Sequence, residues 1–287
     1  MSTTLTPETP APAPDAPPPV RSSSRVVAIV AIAIGVLAVL ATLITAALPV
    51  AFSGISRTDT VTASATGAQR VVIDASAASI RIAFGDVKDA ELRVTGFRGA
   101  DGWSLTRTGG ELRVGADRGG LGPGALVGFG GWWGRSANAV LTLPRALDGR
   151  LDGALSVAGG VLQVDGGFRA LTLDVAGGSV DVNGAATSVT LDLRAGSATV
   201  AVSGARTADV SVEAGAADVR LTGSAPDRVS VSATAGSATV RLPDATYAVT
   251  RSVTAGNLDN RLDTSATSPH AVSVNISGGY VELTPTS

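Results

Sequence analysis

Leu171 to Ser203 reads LTLDVAGGSVDVNGAATSVTLDLRAGSATVAVS, and its apolar residues fall on alternate positions: Leu171, Leu173, Val175; Val180, Val182; Val189, Leu191, Leu193; Ala198, Val200, Val202. Alternation of this kind puts successive side chains on opposite faces of a β-strand, so that one face is buried while the intervening Thr, Asp, Ser and Arg meet water. Gly177 and Gly196 sit between the runs in small Ala-Gly pairs, where a tight bend between strands fits.

Working outward, the same corner recurs at Gly159, Gly177, Gly196, Gly215, Gly236, Gly256 and Gly278, with spacings of 18, 19, 19, 21, 20 and 22 residues. The alternating strands recur with it, as Val210, Val212 with Ala217, Val219, Leu221, as Val229, Val231 with Ala238, Val240, Leu242, and as Val272, Val274, Ile276. One line of this length cannot bury its own Val and Leu face. Stacked lines cover one another through a backbone ladder spaced by about 4.8 Å. The repeat predicts an all-β domain over residues 71–287, a β-solenoid of β-helix type in which Val200 and Val219 point inward on neighbouring rungs while Thr199 and Asp218 face water. Upstream the design is less regular: Glu91-Leu92-Arg93-Val94 returns as Glu111-Leu112-Arg113-Val114, and a Gly-rich insertion over 115–138 interrupts the ladder.

Composition narrows the chemistry. The 287-residue chain is 45% hydrophobic but only 3% aromatic and 16% charged, so its core must be built from Val, Leu, Ala and Gly. It has no cysteine, which excludes disulfides, thiolate nucleophiles and Cys-ligated zinc, and a single histidine, His270, which excludes any site needing two imidazoles. With 22 basic residues dispersed among 24 acidic ones and a net charge of −2, the chain carries no electrostatic footprint for nucleic acid. No cofactor or metal site is expected.

The N-terminal part has a different character. Residues 1–25 hold Pro7, Pro10, Pro12, Pro14, Pro17, Pro18 and Pro19, seven of the fourteen prolines, and are expected to form a disordered tail. Residues 26–52 are 27 consecutive uncharged residues, enough for one transmembrane helix, followed by a linker over 53–70. Arg21 and Arg25 precede the span and predict a cytoplasmic N-terminus with the C-terminal domain outside. Thr45, Ala46 and Ala47 offer the small residues of a signal-peptide cleavage site, but the apolar run is longer than a signal peptide needs and favours a retained signal anchor. The expected localisation is the cell membrane, single-pass, with the membrane itself as one partner.

A segment Leu141-Thr142-Leu143-Pro144 followed by the serial lines SVAGGVLQVDG, DVAGGSVDVNG and LRAGSATVAVSG resembles the bacterial putative-adhesin family, domains of unknown function, over roughly Val71 to Leu283. The resemblance implies an extracytoplasmic, repetitive all-β domain and supplies no catalytic residues.

Asp174, Asp192 and Glu213 each take the fourth place of successive lines counted from Leu171, Val189 and Val210, so that they form an outward acidic column able to share a calcium ion or else a solvated stripe. His270, in Ser268-Pro269-His270, has no G-x-S-x-G elbow to serve and is read as a turn residue. The Gly-rich insertion contains no phosphate-binding motif. Its Trp132 and Trp133 are two of the three tryptophans, and they form either a cap on the ladder or a contact loop. The sequence is thus read as a non-catalytic, single-pass, membrane-anchored cell-envelope protein, an adhesin-like surface or scaffold module with a cell-envelope or protein ligand. The alternatives are an envelope-stress or signalling component with a sensory ectodomain, and a carbohydrate-active β-helix enzyme.

Overall fold

A computed structural model describes residues 57–96, 100–116 and 138–286. Its strands, in chain order, are β1 (Arg57–Ala63), β2 (Arg70–Gly85), β3 (Ala90–Gly96), β4 (Trp103–Thr108), β5 (Glu111–Ala116), β6 (Asn138–Pro144), β7 (Asp152–Val175), β8 (Ser179–Leu193) and β9 (Ser197–Ser203). They continue as β10 (Thr207–Val212), β11 (Ala216–Thr222), β12 (Arg228–Ala233), β13 (Ser237–Leu242), β14 (Ala248–Val253), β15 (Gly256–Asn260), β16 (Ala271–Ile276) and β17 (Gly279–Pro285). All seventeen hydrogen-bond into one sheet. A short 3-10 turn, Arg145–Leu147, is the sole helical element among the described residues.

From β7 onward the strands are parallel and fall into two ladders. In the first, Leu173, Leu191, Val210, Val231 and Val274 follow one another strand to strand. In the second, Val164, Val182, Val200, Val219, Val240 and Leu283 do the same. Every one of these residues is at most 1% exposed, and both ladders contribute to one continuous hydrophobic core. Identical apolar registers in successive strands are what a strict alternation demands, because a one-residue slip would turn every buried side chain to water.

The bend between the ladders is a column of glycines. Gly178, Gly196 and Gly215 have φ of 98°, 102° and 118°, and a Cβ on each would lie 2.2–2.3 Å from the carbonyl oxygen of the glycine one strand back. Only glycine tolerates both the left-handed backbone and that approach. Where the corner carries two glycines it is the second that bends, Gly160 and Gly178 and not Gly159 and Gly177, whereas Gly196 and Gly215 are the glycines marked in the sequence.

The expectation of a β-solenoid behind a transmembrane helix is corrected. First, the sheet mixes parallel with antiparallel pairs: β1 with β3, β3 with β6, and β4 with β5 run antiparallel. The two similar segments Glu91–Val94 and Glu111–Val114 do not stack on each other; β3 lies against β1 and β6, and β5 against β2 and β4. Gly109, with φ of 60°, turns β4 back onto β5 over too few residues for a crossover, so a hairpin results. Second, the lines do not stack in chain order. β16 and β17 lie between β12–β13 on one side and β14–β15 on the other. A period of about twenty residues sets which positions can be neighbours, not the order in which the lines are laid down.

Third, no helix among the described residues is long and apolar enough to cross a membrane, which corrects the expected single-pass localisation with a cytoplasmic N-terminus. The expected helix over 26–52 and the Pro-rich tail over 1–25 lie outside the described residues. β1 occupies part of the stretch read as linker.

Candidate contact face

Because the ladders are in register, their outward residues also form columns. On the first ladder Asp174, Asp192, Ser211, Ser232, Asn275 and Ser252 are successive neighbours. Asp174 and Asp192 therefore do stand side by side, but the third member of the column is Ser211, and Glu213 lies two residues further along, past the end of β10. The mismatch arises because Val189 pairs with Ala208, not with Val210, and an alanine is a weak marker of the core in sequence. Asp174 is answered by Arg194, 3.4 Å away. No group of three or more His, Asp or Glu able to hold a metal occurs among the described residues.

The second ladder has the richer outer face. Asp181, Thr199, Asp218, Thr239, Glu282 and Asp259 form one column, with arginines beside it. Arg241 pairs with Asp218. Arg261 lies 2.6 Å from Asp259 and 3.6 Å from Glu282. One position over, Tyr280 has Ser237 on one side and Asn257 on the other, and it is 37% exposed. Among the described residues this row and column bring a partly exposed aromatic ring, carboxylates, guanidinium groups and a carboxamide onto one face of the ladder. A ring face with flanking hydrogen-bonding groups can cover and orient a polar ligand.

Tyr280 was missed by sequence reasoning, although its signal was present. The line GGYVEL has the pattern of GGSVDV and GSATV, and a tyrosine stands where three other lines have an outward serine (Ser179, Ser197, Ser237) and the rest have Val161, Ala216 and Asn257. The contact loop of Trp132 and Trp133 lies outside the described residues. His270 is half-buried; its Nδ1 is 2.9 Å from the Pro226 carbonyl oxygen and its ring is 6.0 Å from that of Tyr247. The Ser268 hydroxyl donates to the Thr246 carbonyl oxygen at 2.6 Å and accepts the His270 backbone N–H, so serine and imidazole do not engage each other.

Several solved structures of bacterial proteins align with most of this chain. A putative adhesin from Parabacteroides distasonis ATCC 8503 aligns over 79% of this chain and 96% of its own at 13% identity with a TM-score of 0.45. A putative adhesin from Bacteroides fragilis NCTC 9343 aligns over 79% and 97% at 12% identity and a TM-score of 0.42. A putative cell adhesion protein from Clostridium sporogenes ATCC 15579 aligns over 80% and 100% at 11% identity and a TM-score of 0.35. The chain is similar to bacterial proteins described as adhesins. The resemblance drawn from the repeat lines is met again in these structures, and at such identities and scores it carries no argument about what this chain binds. No known protein family and no curated protein matches the sequence.

Proposed function

We propose that the domain is an adhesin-like contact module that works without catalysis, by laying the outer face of its second ladder against a hydroxyl-rich polymer of the bacterial cell envelope. The observation that carries this reading is Tyr280: an aromatic side chain 37% exposed on a strand paired on both sides, in a row whose other members are Val161, Ser179, Ser197, Ala216, Ser237 and Asn257, with the Arg261–Glu282 ion pair two residues further along its strand. A ring of this kind loses little conformational entropy on binding, and the groups around it supply directed hydrogen bonds. The ion pairs on the face are solvent-exposed and add little to folding stability, so they are available to exchange partners.

The test is co-sedimentation of the purified protein with insoluble bacterial cell-wall fragments. The parent protein is expected to sediment with them. Tyr280→Ala should weaken that binding by about tenfold or more, as for an aromatic anchor, while Tyr280→Trp retains it and the melting temperature hardly moves. Equal sedimentation of parent and Tyr280→Ala, or no sedimentation of the parent, overturns the reading.

A further inference from the structure

The last two lines of the chain are laid down out of order, and the registers show that they could have been laid down in order. Val272 of β16 pairs with Val229 of β12 on one side and with Val249 of β14 on the other. Val249 therefore sits in the same phase as Val272 and could take its place on Val229 with no slip. The same holds in the second ladder, where Val281 lies between Ala238 of β13 and Leu258 of β15. The connection permits it too. Five residues, 223–227, carry the chain one step from β11 to β12, and five residues, 243–247, separate β13 from β14, although there the chain steps past an intervening pair of strands.

We propose that residues 248–260 first occupy the edge offered by β12 and β13 and are then displaced outward by residues 271–285, which insert between them. The chemistry of the inward positions gives the direction. Val272, Val274, Ile276, Val281 and Leu283 are at most 1% exposed, as an interior place requires. In the competing line the positions in register with Val274 and Leu283 are Arg251 and Asn260, and both are exposed. Arg251 makes no hydrogen bond or ion pair with the described residues, and with Val253, Asn257 and Leu258 it lines a shallow groove at the end of the sheet. An unpaired guanidinium is tolerated at that open end and not between two strand layers. Residues 248–260 are synthesised first and can pair first; residues 271–285 fit the interior better and replace them. Insertion also completes the contact face, since it brings Tyr280 between Ser237 and Asn257.

The chain has no cysteine, so introduced thiols report without competition. Ser230 and Ser273 are outward neighbours, as are Ser273 and Thr250. Ser230 and Thr250 are thus two ladder steps apart, about 9.6 Å, too far for a disulfide. In the full chain, Ser230→Cys/Thr250→Cys and Ser230→Cys/Ser273→Cys are unfolded in denaturant, refolded, and pulse-oxidised at increasing times. The expected result is an early 230–250 crosslink that disappears as the 230–273 crosslink grows. Ser232→Cys/Ser252→Cys, against Ser232→Cys/Asn275→Cys, is the independent second pair. A 230–273 crosslink from the earliest time, with no crosslink of the 250 or 252 thiol at any time, overturns the proposal. Adding Arg251→Val/Asn260→Leu to the 230/250 pair should raise its crosslink yield at equilibrium by about tenfold, because the charge that expels this line is gone; an unchanged yield overturns the stated cause. No ligand enters the readout, so its failure and that of the contact face are separable.

Discussion

Val200 and Thr199 are adjacent in the chain and opposite in environment: Val200 is fully buried next to Val219, and Thr199 is exposed beside Asp218. Val200→Asp puts an unpaired charge into a core where, among the described residues, no charged side chain is buried, and should cost several kcal/mol. Thr199→Asp should change the melting temperature little, and equal effects of the two would refute the register. At the corner, Gly196→Ala meets the Gly178 carbonyl 2.2 Å from the new Cβ at a φ of 102°, so a loss of roughly 2 kcal/mol or more in denaturant titration is expected. Tyr247 gives a pH signature. It is fully buried, its hydroxyl donates to the Pro243 carbonyl oxygen at 2.8 Å, and burial, helped by Asp244, pushes its phenol up to about 12. In the unfolded chain the phenol ionises near 10. Because the folded value is the higher one, the contribution of Tyr247 is intact below a pH of about 10 and is lost as the pH rises through about 12, by up to roughly 3 kcal/mol. Tyr247→Phe should flatten that alkaline decline in unfolding curves.

At the scale of elements, β8 to β13 were legible because Val and Leu, with an occasional Ala at a strand end, alternate there and the corner glycines repeat. The strands that departed from expectation are those where the pattern is weak. β14 places Arg251 between Val249 and Val253, and such a strand reads in sequence as one more line of the repeat, whereas the charge is the mark of an end strand. The antiparallel β4–β5 pair was hidden because Glu91–Val94 and Glu111–Val114 look alike while hydrogen-bonding to different partners. The contact face was half-legible: Asp174 and Asp192 are neighbours as their spacing demanded, Glu213 was displaced by a misplaced count across Ala208, and Tyr280 went unnoticed inside a familiar line. An ion pair on the first ladder behaves as its exposure suggests. The hydrogen bond from Arg169 holds the Asp152 carboxyl below its ordinary value, so its small stabilisation is present above that ordinary value and lost as the pH falls through the folded one.

For the whole molecule, repetition in register means that complete lines are interchangeable units. Removing Val189 to Thr207 joins Ser188 to Ala208 and lets β8 continue with the inward residues Ala208, Val210 and Val212 in place of Val189, Leu191 and Leu193. This deletion should fold with an unchanged β-type circular dichroism spectrum and a lower melting temperature, whereas removing ten residues within the same span should abolish cooperative unfolding. The inserted position of β16 and β17 has a mechanical consequence. These strands end the described chain, yet each is hydrogen-bonded on both sides, β16 to β12 and β14 and β17 to β13 and β15. A tensile load on the C-terminus cannot peel an outermost strand; it must shear an interior one past two partners at once. Single-molecule pulling from that end should therefore meet its highest rupture force at the first event, and a molecule that grips through Tyr280 would have its grip and its strongest clamp on the same strand.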